Sequence, residues 1–179
     1  MEVNISKVSL LRDNKFKLID KKPGFYRWWF KEEAAHRLIK EMKQWLPEED
    51  KFLTMDHEGD KYIALYFGIS KDMRGRIRWH ASQKHTSSNI NKGFLSTLRQ
   101  TLSALLETPM SMSYQTINDF IDNNCIWEWS YTNTKADAEV FEKKELSKKY
   151  YYPLNVKDNK TICENALKWL IGVRAEYRH

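Results

Sequence analysis

The sequence predicts one domain in which helices pack on a small β-sheet, in an α+β or α/β arrangement. Short aromatic-rich runs typical of strands alternate with segments whose apolar residues recur every three or four positions, as in helices. Hydrophobic residues make up 41% of the 179 residues, which is enough for a proper core. Because no repeat, proline-rich linker or low-complexity segment divides the chain, we expect a single domain over residues 1–179.

The first two predicted strands are rich in aromatic and β-branched residues, and the third alternates apolar and polar residues. They lie at 24–30, 62–69 and 126–132. A helix should follow the second strand, with Ser70 as its N-cap and Asp72 in its first turn. Gly75 within this helix costs about 1 kcal/mol relative to Ala, so the helix should be short or require a close approach there.

The remaining helices are predicted from apolar stripes, of which the leucine stripe after residue 95 is the strongest. These helices lie at 32–45, 95–106, 117–121, 135–149 and 161–177. Ser111 or Ser113 could cap the third of them and Thr161 the last. The polar segments 47–60 and 84–93 are expected to be loops.

The charge of the chain bears on its partner, and its cysteines and hydropathy bear on its compartment. Thirty Lys and Arg residues against 24 Asp and Glu give a net charge of +6, which modestly favours an anionic partner. Cys125 and Cys163 fit no metal spacing and are expected to be free thiols in a reducing compartment. No signal-peptide core and no apolar run of ~18 residues is present, so we expect a cytoplasmic protein without a membrane partner.

An ordered set of short motifs points to a family. Along the chain stand GFY at 24–26, YFG at 66–68, Arg76, His80 and PLN at 153–155. Together they resemble the pattern of the GIY-YIG nuclease family, and the resemblance extends from Gly24 to about Arg174. The segment 96–102 is also similar to restriction-enzyme-like bacterial members. The resemblance implies an α+β fold with a small central mixed or antiparallel sheet flanked by helices, with a core at about 23–175. Where the family usually has a short hairpin, this chain has an insertion at about 31–60.

The resemblance also implies roles that suit phosphodiester hydrolysis. Arg76 can fork across two phosphate oxygens and neutralise charge in the transition state. His80 lies one helical turn later, where it should border the cleft and titrate near neutral pH, so that it can orient or shuttle a proton. Tyr26 is expected to orient the attacking water or act as general base, and Tyr66 to add a supporting hydrogen bond.

A hard cation, Mg²⁺ or Mn²⁺, needs a carboxylate oxygen, and one glutamate can hold a largely hydrated ion. The predicted ligand is Glu142 on the helix at 135–149, with Glu139 and Glu145 as alternates. Counting back from Asn155 without a gap places Lys143 at the glutamate position, so Glu142 requires one extra residue in the turn at 150–152.

Further positions are expected to bind DNA or to support the site. The DNA-binding candidates are Arg74, Arg78, Lys84, Lys92 and Arg99. For Arg74 and Arg78 we prefer an ordinary solvated basic face, to which phosphate contact would be an addition. Gly24, Gly68 and Asn155 are expected to support the site. Core packing is the better interpretation of Trp28, Trp29 and Trp79.

The leading functional hypothesis is therefore a metal-dependent endonuclease that hydrolyses DNA, resembling a restriction or defence enzyme. Cutting both strands with one site per chain would suggest a homodimer. The rival is a catalytically degenerate DNA-binding module on the same scaffold, as the Lys143 register suggests. A protein-interaction domain, the third hypothesis, predicts no salt-sensitive DNA binding.

Overall fold

A computed structural model describes residues 2–46, 52–147, 152–156 and 164–179. Within these residues, five strands form one sheet in the order β1-β5-β2-β4-β3, and every neighbouring pair is antiparallel. The strands are β1 (Asn4–Lys7), β2 (Gly24–Lys31), β3 (Thr54–His57), β4 (Asp60–Ser70) and β5 (Cys125–Tyr131). The prediction of an α+β fold is confirmed, and its sheet is antiparallel rather than mixed.

Helices surround this sheet. They are α1 (Val8–Asp13), α2 (Glu32–Ile39), α3 (Met73–Ser82), α4 (Ser87–Asn91), α5 (Thr97–Leu105), α6 (Tyr114–Asn124), α7 (Lys135–Leu146) and α8 (Glu164–Glu176). The helix predicted at 32–45 becomes a 3₁₀ helix from Lys40 to Trp45. The predicted cap at Thr161 and the turn residues 150–151 lie outside the described residues.

The two faces of the sheet bury different clusters. Tyr26, Trp28 and Phe30 of β2 point into the larger cluster, which α1, α3, α5 and α6 cover. Phe25 and Trp29 point to the other face, where Phe141 of α7 packs. The alternation of the strand therefore places the first tyrosine of the motif on the face covered by α3 and α5.

A β-bulge sets the position of the second tyrosine. Trp28 pairs with Tyr66 whereas Trp29 pairs with Ala64, so Leu65 is an extra residue on β4. As a result Leu65 and Tyr66 both pack against the larger cluster. Bulges often redirect a side chain beside an active site, and here the bulge keeps Tyr66 on the same face as Tyr26.

Two segments predicted as loops contain regular structure. Residues 54–57 form β3, which pairs with β4, while residues 47–51 lie outside the described part. Residues 87–91 form α4, whose N-terminus is capped when Thr86 Oγ1 accepts from the Asn89 amide at 3.2 Å. Both elements are short and polar, so their apolar periodicity is weak.

The cap of α3 also differs from the expected one. Asp72, not Ser70, is the N-cap, and its Oδ1 accepts from the Gly75 amide at 2.9 Å. A Cβ at Gly75 would lie 2.7 Å from Asp72 Oδ2, which explains the glycine inside this helix. Ser70 Oγ instead accepts from the Asp72 amide and donates to its carbonyl.

None of the helices in the described residues is long and apolar enough to cross a membrane.

Candidate active site

A buried hydrogen-bonded chain joins β2, α3 and α5. Tyr26 Oη lies 2.9 Å from His80 Nε2, and His80 Nδ1 lies 2.6 Å from Ser96 Oγ. Ser96 is the N-cap of α5, and its Oγ also accepts from the Arg99 amide. Since both ring nitrogens of His80 have partners, the imidazole is held in one orientation.

His80 differs from its predicted state. It is fully buried rather than at the cleft edge. Burial lowers its pKa well below the usual 6.5, and the positive charges of Arg76 and Arg99 lower it further. The imidazole is therefore neutral at neutral pH, with one nitrogen donating and the other accepting. The expectation that it titrates near neutrality was wrong.

The two tyrosines lie side by side on neighbouring strands. The centroids of Tyr26 and Tyr66 are 6.3 Å apart, with their rings inclined by 23°. Burial raises the pKa of Tyr26 well above 10, while the charge of Arg76 acts in the opposite direction. Tyr26 is thus a neutral hydroxyl at neutral pH, which favours the water-orienting role over that of a resting general base. Tyr66 is half-buried and opens onto a cleft.

The motif glycines are required by close packing. A Cβ at Gly68 would lie 2.6 Å from Tyr26 Oη and 2.7 Å from Tyr26 Cζ. A Cβ at Gly24 would lie 2.1 Å from the Ser130 carbonyl oxygen on β5. Any side chain at Gly68 would therefore displace the tyrosine hydroxyl, and any at Gly24 would separate two strands.

Arg76 enters the cleft from α3. Its Cζ lies 4.9 Å from the centroid of the Trp79 ring, one helical turn away, and both residues line the cleft. A cation–π contact of this kind orients a guanidinium without using its hydrogen-bond donors. Trp79 is therefore a cleft residue rather than a core residue, whereas Trp28 and Trp29 are buried as predicted.

The cleft has a volume of about 580 Å³ and lies between β4, α3 and α7. It brings together seven of the predicted positions, which are Tyr26, Tyr66, Gly68, Arg76, Glu139, Glu142 and Asn155. The positive Arg76 and the acidic residues come from opposite elements. The arrangement can hold an anionic group beside two hydroxyls and a carboxylate.

The position of α7 distinguishes the three glutamates. The helix begins at a capping box formed by Thr134 and Asp137. Glu142 lines the cleft, and its negative charge adds to burial in raising the pKa of both tyrosines. Glu139 also lines the cleft, but it accepts from Lys135 Nζ at 2.6 Å.

Glu145 belongs to a different cluster, and its prediction as an alternate metal ligand was wrong. It is buried outside the cleft, where its Oε1 accepts from Arg27 at 2.7 Å and from the Tyr152 hydroxyl at 2.6 Å. Arg27 also pairs with Glu128, whose other oxygen accepts from Trp29 Nε1 at 2.8 Å. This network under α7 links the helix to β2 and β5.

The donor chemistry of the cleft fits a hard divalent cation. Across the described residues, no group of three or more His, Cys, Asp or Glu side chains is suited to hold a metal. The cleft offers instead a carboxylate at Glu142 beside two hydroxyls. One carboxylate with water completing the shell is a common arrangement for Mg²⁺. The residues present therefore fit a largely hydrated ion at Glu142.

The comparison with known families agrees with this geometry. Residues 24–176 match the family model described as the GIY-YIG catalytic domain. The chain belongs to this family. No curated protein and no solved structure matches the chain. The match covers most of the chain, confirms the resemblance seen in the motifs, and implies a nuclease-type function in DNA cleavage.

The terminal asparagine of the GIY-YIG pattern fixes the chain against β4. Asn155 Oδ1 accepts from the Phe67 amide at 2.9 Å, and its Nδ2 donates to the Phe67 carbonyl at 2.8 Å. The Leu154 amide donates to the Leu65 carbonyl at 3.0 Å. Because Phe67 lies between Tyr66 and Gly68, these bonds hold the motif strand at the cleft.

Of the predicted DNA contacts, Arg99 is contradicted. It is fully buried and donates to the carbonyls of His80 and Ala81 at 3.1 Å and to Asn118 Oδ1 at 2.9 Å. Burial lowers its pKa to about 10. Arg99 therefore braces α3 against α5 and α6. Among the other candidates, Arg78, Lys84 and Lys92 are exposed, whereas Arg74 is half-buried.

Several residues of the site were not found from the sequence. Ser96 could have been recognised as a cap before the leucine helix, but its bond to His80 depends on tertiary packing. The spacing of Arg76 and Trp79 by three residues is a signal for a helical pair. Nothing local distinguishes Arg27 from any other arginine on a strand.

Proposed function

We propose that the chain is a divalent-metal-dependent endonuclease that hydrolyses DNA phosphodiester bonds in the cleft between α3 and α7. The observation that carries the proposal is that Arg76 of α3 and Glu142 of α7 line one cleft together with Tyr26 and Tyr66. Hydrolysis needs an oriented water and neutralisation of the negative charge that grows on the phosphate. The cleft supplies groups for both.

Arg76 binds the scissile phosphate. Its guanidinium can donate two parallel hydrogen bonds to non-bridging oxygens of the phosphate. Trp79 restricts its rotation by stacking. The arginine therefore meets the phosphate preorganised, so its hydrogen bonds can strengthen as charge builds in the transition state.

Tyr26 and Tyr66 orient the water. Neutral His80 is fixed by Ser96 and in turn fixes the Tyr26 hydroxyl at 2.9 Å. A hydroxyl held in this way accepts from a water with a defined direction, and Tyr66 offers a second partner. As the water attacks phosphorus, it loses a proton to solvent in the open cleft, the bond to the leaving sugar oxygen breaks, and that oxygen takes up a proton from solvent.

Glu142 would hold the divalent cation, which when bound supplies Lewis-acid stabilisation of the phosphate and of the leaving oxygen. Lys143, the next residue, also lines the cleft and is exposed. The negative charge of the Glu142 carboxylate contributes to the raised pKa of both tyrosines. This supports Glu142 over Lys143 as the counterpart of the family's metal-binding position.

The test compares Glu142→Gln with the matched variant Glu139→Gln on the same helix. Mn²⁺ binding is followed by electron paramagnetic resonance, and plasmid cleavage is followed with Mg²⁺, with Mn²⁺ and with chelator. We expect Glu142→Gln to weaken Mn²⁺ binding by at least roughly tenfold and to suppress cleavage, while Glu139→Gln has a small effect. If Glu139→Gln instead weakened Mn²⁺ binding and cleavage while Glu142→Gln had a small effect, the metal ligand would be Glu139.

The degenerate DNA-binding module remains the alternative, because Lys143 lines the cleft beside Glu142. It predicts salt-sensitive DNA binding by the wild-type chain with no Mn²⁺ binding and no cleavage under any metal condition. Metal-dependent cutting by the wild type would reject it.

Three finer points complete the proposal. We infer a restriction or defence role by family analogy alone. Because the described residues provide one such cleft, two copies acting together would suit a double-strand cut, and we infer a homodimer on DNA. Cys125 is a free buried thiol, which supports a reducing, cytoplasmic setting.

A further inference from the structure

The segment between α1 and β2, residues 14–22, forms a rigid loop whose lysines face outward. Phe16 and Ile19 are buried in the main core and anchor the loop. Lys15, Lys17 and Lys21 are exposed, and so is Leu18. We call this segment the lysine loop. Because the apolar residues of the loop are buried and its basic residues are exposed, the loop presents its lysines on a fixed surface.

The lysine loop is attached to the helix that carries Arg76. The amides of Met73 and Arg74, at the start of α3, donate to the Lys22 and Asp20 carbonyls at 3.0 and 3.3 Å. Arg74 Nε donates to the Ile19 carbonyl at 2.5 Å. These bonds satisfy amides that a helix N-terminus otherwise leaves unpaired. Arg74 is thereby a structural clamp, and the loop and α3 form one body.

The backbone of the loop is also strained. Lys15 has φ of 51° and Phe16 has φ of 58°, a left-handed conformation that favours glycine. Both residues close the C-terminus of α1, because the Lys15 amide donates to the Arg12 carbonyl at 2.8 Å and the Phe16 amide donates to the Leu11 carbonyl at 2.7 Å. These bonds fix the direction in which the chain leaves α1 and enters the lysine loop.

The charge of this surface is largely unbalanced. Of the loop lysines, Lys22 pairs with Asp20 at 2.9 Å. The three exposed lysines 15, 17 and 21 form no ion pair with any of the described residues. Arg78, exposed on α3, adds a further positive charge. Arg78 lies one helical turn after Arg74, whose side chain is bonded to the loop, so its charge is added on the same side of α3.

We propose that the lysine loop is a second contact for the sugar-phosphate backbone of the DNA duplex, outside the cleft. The inference rests on the proposed function, because the duplex is placed by its scissile phosphate at Arg76. A duplex seated there and crossing the exposed face of α3 would reach the loop. Lysine ammonium groups are point charges suited to phosphates, and such contacts add affinity and orientation without reading sequence. The rigid attachment fixes the distance between the two phosphate sites.

The test is the salt dependence of duplex binding, measured in chelator so that no cleavage occurs. The variant carries Lys15→Gln, Lys17→Gln and Lys21→Gln. Its control removes the same charge from exposed lysines on the 3₁₀ helix and α8, as Lys40→Gln, Lys43→Gln and Lys168→Gln. Thermal unfolding confirms that both variants fold.

We expect the loop variant to lose roughly two to three from the slope of log Kd against log salt, since each phosphate contact contributes about 0.9. The control should keep the wild-type slope within about 0.5. Equal slopes in the two variants would overturn the proposal, because net charge alone would then explain the change. A lysine-dependent slope without any metal-dependent cutting would support the loop and reject the nuclease. Metal-dependent cutting, with the same slope in the loop variant as in the wild type, would support the nuclease and overturn the proposal for the loop.

Discussion

Gly68 offers the sharpest test of the packing around the catalytic tyrosine. In Gly68→Ala the new Cβ would lie 2.7 Å from Tyr26 Cζ, whereas ordinary contact begins near 3.4 Å, so the ring must move by about 0.7 Å. It has little room, because His80 holds the hydroxyl at 2.9 Å and Trp127 packs beside the ring. Overpacking of this kind costs about 1–3 kcal/mol.

The measurement pairs urea unfolding with single-turnover cleavage of plasmid DNA. We expect Gly68→Ala to lower the free energy of unfolding by this amount and to reduce cleavage by about 100-fold, as a misplacement near 1 Å can. Gly172→Ala is the matched control, since no atom lies within 4 Å of the added Cβ and the residue is exposed within α8. It should stabilise the protein by about 0.5–1 kcal/mol and leave cleavage unchanged.

If Gly68→Ala had the stability and activity of the wild type, the Tyr26 ring could move without cost, and the close approach at Gly68 would not be required. The cause can be isolated in a Tyr26→Leu background, where the branched chain ends before the ring position. There the alanine should cost about 1 kcal/mol less than in the wild type. Equal costs in the two backgrounds would show that β4 itself, rather than the tyrosine, resists the substitution.

Two further predictions concern buried ionisable groups. Because burial holds the pKa of His80 well below 6.5, the unfolded chain binds that proton first, and the free energy of unfolding should fall as pH drops below about 6.5, by up to ~1.4 kcal/mol per pH unit. His80→Gln should flatten this slope in urea titrations at pH 7.5, 6.5 and 5.5, and an unchanged slope would contradict the buried neutral state. Arg27→Met removes the guanidinium shared by Glu128 and Glu145 and should cost about 3–5 kcal/mol. The exposed pair broken by Lys168→Met should cost less than about 1 kcal/mol, and a similar loss in both would refute the role of the network.

The parts of the site that could be predicted are those that local pattern controls. Tyr26 and Tyr66 lie on aromatic-rich strands, and Arg76 lies on a helix that follows a glycine-ended strand, so their elements follow from periodicity and turn chemistry. The resemblance to the family implied that these residues meet at one site, and the structure brings them together at one cleft.

The parts that could not be predicted depend on packing between distant elements. Glu145 follows Glu142 by three residues on α7, and this spacing alone could not reveal its contacts with Arg27 and Tyr152. The burial of Arg99 and His80 results from α5 and α6 closing over α3, which no local pattern encodes. β1 was missed because four polar-flanked residues carry little periodicity.

The most direct test of the central claim compares Arg76→Ala with Arg78→Ala, two arginines on one helix that face different sides. Cleavage of supercoiled plasmid is followed with Mg²⁺ at enzyme concentrations that saturate the DNA, so that differences in affinity do not enter the rate. We expect Arg76→Ala to lower the rate by about 10²–10³, as for a lost transition-state contact, while Arg78→Ala keeps the wild-type rate. Equal rates for the two variants, whether both high or both low, would contradict a reaction centred on the cleft between α3 and α7.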